Sequence, residues 1–132
     1  MLPELGAKVN FATQGGPSDL INNSIGSGFA IEAVLTFFLV TVIFMVAVHK
    51  KASPGLHGFA IGGMVFLIHL VAVPLTGASV NPARTFGPAL ISGFWEFHWL
   101  YWAAPILGGI IAGLIMNYVF VKHAEQEAEK EA

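Results

Sequence analysis

Long apolar stretches alternate with short polar breaks along most of the chain, and the breaks mark the elements. Three stretches, residues 25–48, 58–75 and 99–121, reach membrane-spanning length. A helix needs roughly 20 apolar residues to cross about 30 Å of hydrocarbon. The second stretch is short and glycine-tolerant, which marks a helix packed among others. Residues 1–24 are mostly polar and small, are punctuated by Gly15-Gly16-Pro17, and read as a loop. Asn22-Asn23-Ser24 offers caps for the first span. No stretch has the basic start and apolar core of a signal peptide.

Residues 76–92, TGASVNPARTFGPALIS, fit neither class. They begin too polar and too rich in Gly and Pro to cross a bilayer. They end too apolar for an exposed loop. Non-helical backbone at membrane depth survives only where it is buried or lines a watery cavity. Asn81 is a good N-cap, and Pro82 suits the first helical position, where its missing N–H costs nothing. A half-length helix over residues 82–92 is therefore expected. Its N-terminus carries about half a positive charge. Arg84 falls in the first turn, where a cation opposes that dipole and is expensive in lipid. Gly77 and Gly87 are expected to let backbones approach closely.

Composition agrees with a lipid solvent. Of 132 residues 55% are apolar and 11% charged, against about 25% charged in soluble domains. From Ala33 to Val121 the charged residues are Lys50, Lys51, Arg84 and Glu96. The length allows one domain at most. A net charge of −2 without a basic stripe argues against nucleic-acid partners. Cys is absent, which excludes disulfides and thiolate sites. His49, His57, His98 and His123 lack metal-ligand spacing, so no metal site is expected. No nucleophile-and-base pair is visible, so no catalytic residue, enzyme activity or cofactor is expected.

His49-Lys50-Lys51 and Lys122-His123 fall on one side if the three helices cross alternately. The positive-inside rule then places the first connection and the charged tail, residues 122–132, in the cytoplasm and the N-terminus outside. Trp95, Trp99, Tyr101 and Trp102 gather at the outer start of the third span, as an interfacial aromatic belt would. The class expected is an all-α, multi-pass membrane protein with three transmembrane helices and one re-entrant half-helix.

Asn81-Pro82-Ala83-Arg84, followed by Thr85-Phe86-Gly87-Pro88-Ala89 and preceded by Thr76-Gly77, resembles the second signature loop of the aquaporin (major intrinsic protein) family. Ala30-Ile31-Glu32 with Thr36–Val40 looks like the start of that family's fourth membrane helix, and Pro105 with Gly108-Gly109 resembles its sixth. The likeness covers about residues 25–121 and implies half of an inverted repeat, since the family has six spans and two such loops. It implies a pore completed by a complementary N-terminal half or a longer homologous chain, a tetramer, membrane lipids as surroundings and water as permeant.

The resemblance also implies roles. Asn81, Pro82 and Ala83 would form the pore centre. His69, twelve residues before Asn81, would join Arg84 and the small Ala78 in the selectivity filter. Alone, Glu32 in a span suggests a proton relay; the resemblance implies instead that it accepts backbone N–H groups of the signature loop and supports it. His69, Thr85, Ala89 and Tyr101-Trp102 lean toward a water channel rather than a glycerol facilitator. A non-conducting truncated membrane subunit is the remaining alternative.

Overall fold

The computed structural model describes residues 10–49, 52 and 55–121. All regular elements among these residues are helical. Helix α1 is Ile25–Ile43, continued by a wider π turn over Phe44–Val48. Helix α2 is His57–Thr76, α3 is Pro82–Ser92, and α4 is Leu100–Met116, continued by a π turn over Asn117–Val121. Three helices are long and apolar enough to cross a membrane: 25–48, 57–76 and 100–120. The fourth, α3, has 11 residues. At about 1.5 Å per residue it covers roughly half the hydrocarbon thickness. The architecture is half of an aquaporin-like fold.

Local chemistry sets the ends. Ser24 caps α1, its hydroxyl accepting from Ser27 N at 3.2 Å. Gly77 closes α2 and Gly93 closes α3, both in the left-handed region at φ 81 and φ 73, where a missing Cβ removes the steric penalty. Asn81 caps α3 through Oδ1, which accepts from Ala83 N at 2.9 Å.

Helices α1 and α4 make the main packing contact. A Cβ on Gly108 would fall on the Ala33 carbonyl, so the two backbones touch there. Gly109 faces Val40 and Gly113 faces Phe44. Helix α2 lies on the other side of α1. Ile68, Ala72, Ala78 and Val80 form its buried cluster, with Ile31, Leu35, Leu39 and Met64 packed against it. Long apolar side chains elsewhere, among them Phe66, Leu70, Ile91 and Leu114, stay exposed, as lipid or neighbouring protein would require.

The close approach expected at Gly87 is absent among the described residues, because nothing lies within 4 Å of where its Cβ would stand. Gly77 does pack closely, its added Cβ reaching 3.3 Å from the Gln14 side chain. Lys50, Lys51, Lys122 and His123, on which the expected orientation rests, and the rest of the tail lie outside the described residues.

The segment before α1 is not a free loop. It makes single 3-10 turns at Asn10–Ala12 and Asp19–Ile21. Between them it runs as a strap across the ends of the other helices. Ser18 N donates to the Leu75 carbonyl at 2.9 Å, and Gly16 N donates to the Tyr101 hydroxyl at 3.0 Å. Thr13 Oγ1 donates to Ser92 Oγ at 3.0 Å.

Candidate functional site

The site is the loop from Gly77 to Asn81 together with the first turn of α3. Its backbone is unusual: Ala78 has φ 51 and Val80 has φ 47. Left-handed backbone at a β-branched residue is a genuine outlier; it costs about 1–3 kcal/mol and persists only where the surroundings fix it.

Glu32 supplies that fixing. The residue is fully buried in α1. Its Oε1 accepts from Ser79 N at 3.0 Å and from Thr76 Oγ1 at 2.7 Å. Its Oε2 accepts from Val80 N at 2.7 Å. Thr76 Oγ1 in turn accepts from Ala78 N at 3.2 Å. Three successive N–H groups, from Ala78 to Val80, therefore all find acceptors in the interior. Ser79 Oγ donates to the Asn81 carbonyl at 2.9 Å and pairs with Thr85 Oγ1, tying loop to helix.

These bonds fix the depth of the loop. Glu32 stands seven residues beyond Ile25, the start of α1. At about 1.5 Å per residue that is roughly 10 Å along a helix of spanning length. Ser79 and Val80 are held at that level, and α3 starts directly after them. At its other end Ser92 meets Thr13 of the strap. Helix α3 therefore starts inside the bundle and runs back toward the strap.

The residues singled out from the sequence are distributed as follows. Ala78 is fully buried in the loop. Asn81 is exposed at the tip. With Oδ1 committed to Ala83 N, its Nδ2 is the donor left over. Pro82 and Ala83 form the first turn of α3, with Ala83 exposed. Arg84 is half-buried in that turn, and its Nη1 is buried without a hydrogen-bond partner among the described residues. His69 is half-buried in α2, where Nδ1 lies 2.8 Å from the Val65 carbonyl. A carbonyl only accepts, so Nδ1 is the donor in this contact. The loop thus brings Ala78, Asn81 and Arg84 together on one short stretch bonded to Glu32, while His69 stands apart in sequence on α2, its ring bonded within its own helix. Among the described residues no cluster of three or more potential metal ligands occurs.

Four participants were not singled out as site residues from the sequence. Thr76, Ser79 and Thr85 carry buried hydroxyls of the network, and Tyr101 is fully buried, its hydroxyl donating to the Thr76 carbonyl at 2.5 Å. The available signal was a polar group inside an apolar run, which must find a partner when buried. Tyr101 was read as part of the aromatic belt and, by resemblance, as half of the Tyr101-Trp102 pair of a water channel. Trp95, Trp99 and Trp102 are exposed, but Tyr101 faces inward.

Comparison with known proteins agrees with this architecture. The family model described as Major intrinsic protein matches residues 6–116. Aquaporin-4 of Rattus norvegicus is 46% identical over 105 residues, covering 79% of this chain and 32% of the relative. Aquaporin-1 of Botryotinia fuckeliana is 46% identical over 99 residues, covering 73% of this chain and 21% of the relative. Aquaporin TIP4-4 of Zea mays is 38% identical over 119 residues, covering 88% of this chain and 47% of the relative. The chain spans about a third of the length of the aquaporin-4 relatives it matches. With three spanning helices, one half-length helix and a family match over most of its residues, this membrane protein belongs to the major intrinsic protein family.

Proposed function

We propose that the chain forms the C-terminal half of a passive transmembrane water pore, completed by an N-terminal half in the same or another polypeptide. The observation that carries the reading is the helix start at Asn81: an exposed side-chain amide beside the positive end of α3, in a loop held by Glu32 roughly 10 Å along α1, a helix long enough to span. A half-helix end at that depth offers donors to a polar permeant and repels cations. Arg84 Nη1, buried and unpartnered among the described residues, supports a polar occupant, since buried donors are normally satisfied. Arg84, Ala78 and His69 would form the constriction, and Asn81, Pro82 and Ala83 the centre.

Water rather than glycerol is favoured by His69 and by the interior at Thr85 and Ala89. Both of the latter are sealed from solvent, and the acidic and basic residues that the resemblance associates with glycerol facilitators would need that interior rebuilt. The orientation proposed has the strap outside and the tail in the cytoplasm, from Lys50, Lys51 and Lys122 and from the exposed Trp95 and Trp99. Tetrameric assembly follows from family resemblance.

Stopped-flow light scattering on proteoliposomes tests the reading, with the chain alone and with a co-reconstituted three-span N-terminal half. Osmotic water flux above that of empty vesicles, with glycerol excluded, is expected from the pair. Flux equal to empty vesicles despite correct insertion overturns it, and rapid glycerol flux replaces water by a larger neutral solute.

A further inference from the structure

The strap and the signature loop meet at one hydroxyl. Tyr101 is fully buried in the first turn of α4, and its OH accepts from Gly16 N at 3.0 Å while donating to the Thr76 carbonyl at 2.5 Å. Thr76 passes the connection on through Oγ1, which donates to Glu32 Oε1 and accepts from Ala78 N. Glu32 then holds Ser79 and Val80. Three residues distant in sequence, Gly16, Tyr101 and Thr76, thus form an unbroken relay from the outer strap to the loop that carries Asn81 and Arg84.

The strap has reason to leave if the relay is cut. Gln14 is 2% exposed, yet its Oε1 has no hydrogen-bond partner among the described residues. Its amide nitrogen reaches only the Ala12 carbonyl, at 3.5 Å, the outer limit of a hydrogen bond. A buried acceptor without a donor favours any rearrangement that exposes it to water. Gly16 sits at φ 91, and a Cβ there would strike the Phe97 ring, so the backbone is pressed against the α3–α4 connection as well. The flanking anchors, Thr13 to Ser92 and Ser18 to Leu75, fix the ends of the strap and leave its centre to Tyr101.

We propose that Tyr101 is a positioning residue that latches the strap onto the signature loop, so that the strap serves as the outer wall of the path and helps exclude solutes larger than water. The solute consequence rests on the pore reading above; the latch itself does not. Removing the hydroxyl frees the centre of the strap, lets Gln14 swing out, and loosens Thr76 and with it the loop.

Hydrogen–deuterium exchange on the full chain in lipid nanodiscs decides the latch. Tyr101→Phe is expected to speed exchange at least tenfold at the Gly16 amide and several-fold at the Ser79 and Val80 amides. Trp102→Phe, which removes the exposed bond from Trp102 Nε1 to His98 Nε2, is expected to change neither. Thr76→Val cuts the next link and is expected to release Ala78, Ser79 and Val80 while Gly16 stays protected. Strap exchange that rises in Tyr101→Phe with Ser79 and Val80 unchanged overturns the relay, as does an unchanged Gly16. Circular dichroism with wild-type helicity shows that neither variant has simply unfolded. In a conducting assembly, Tyr101→Phe is expected to raise the glycerol-to-water permeability ratio several-fold at similar water flux. Coupled exchange with an unchanged ratio overturns the wall, while absence of water flux in the unaltered protein counts against the pore reading alone.

Discussion

Glu32 accepts three hydrogen bonds, and every donor belongs to a buried residue: Thr76, Ser79 and Val80. Glu32→Gln replaces one acceptor oxygen by a donor, so one buried N–H or O–H loses its partner. The cost expected is about 1–3 kcal/mol, read as a lower thermal midpoint by circular dichroism in detergent. The left-handed Val80 should relax in the same variant, since its φ is held by Oε2. Asn81→Asp tests a different property. Asp caps a helix about as well as Asn, so the fold should survive, but a negative charge then stands at the positive end of α3. Cation leak through the completed pore is expected to increase, measured by fluorescence of a sodium indicator in vesicles. Arg84→Ala removes the half-buried guanidinium from the proposed constriction. Glycerol or urea flux is expected to rise while water flux persists, and unchanged selectivity would remove Arg84 from the filter.

Two glycines separate packing from propensity among the helices. At Gly108 a Cβ meets the Ala33 carbonyl, so Gly108→Ala must push α1 from α4. A loss of about 1–3 kcal/mol is expected from such overpacking. At Gly87 nothing lies within 4 Å, and Gly87→Ala should leave the isolated chain unchanged or more stable by about 0.5–1 kcal/mol, the helical advantage of Ala over Gly. Chemical unfolding of both variants in one detergent compares them directly. The four helices were legible because each is announced locally. The spans show as runs without charge, and α3 shows through the cap-and-proline pair Asn81-Pro82. The strap was not legible for the opposite reason. The partner of Gly16 is 85 residues away, and nothing in residues 13–18 indicates that Gln14 is enclosed. Thr76 and Tyr101 were visible only as members of a motif, because their roles depend on which way a helix face turns. The expected close contact at Gly87 is not made among the described residues, because glycine in a helix signals permission for contact, not contact itself.

For the whole molecule, the apolar exterior of α1, α2 and α4 is consistent with spanning, and the direction of spanning is a separate prediction. A protease site or tag appended after Ala132 should be reached only from the cytoplasmic side of intact cells or oriented vesicles; cleavage from outside would reverse the proposed topology. Polar contacts occur at both ends of the bundle, with His57 Nδ1 against the Val46 carbonyl at one and the loop network at the other. Glu32, Thr76, Ser79, Thr85, Tyr101 and the strap cluster toward one end. Farther down, α1 and α4 face each other through hydrocarbon, Val40 opposite Gly109 and Phe44 opposite Gly113. Hydrocarbon contact between helices is hardly preferred over contact with lipid tails. The seam between α1 and α4 should therefore behave as a hinge with its pin at the strap: thermal breathing parts the two helices first near Gly113, while the loop network keeps the spacing of α1, α2 and α4 around Glu32.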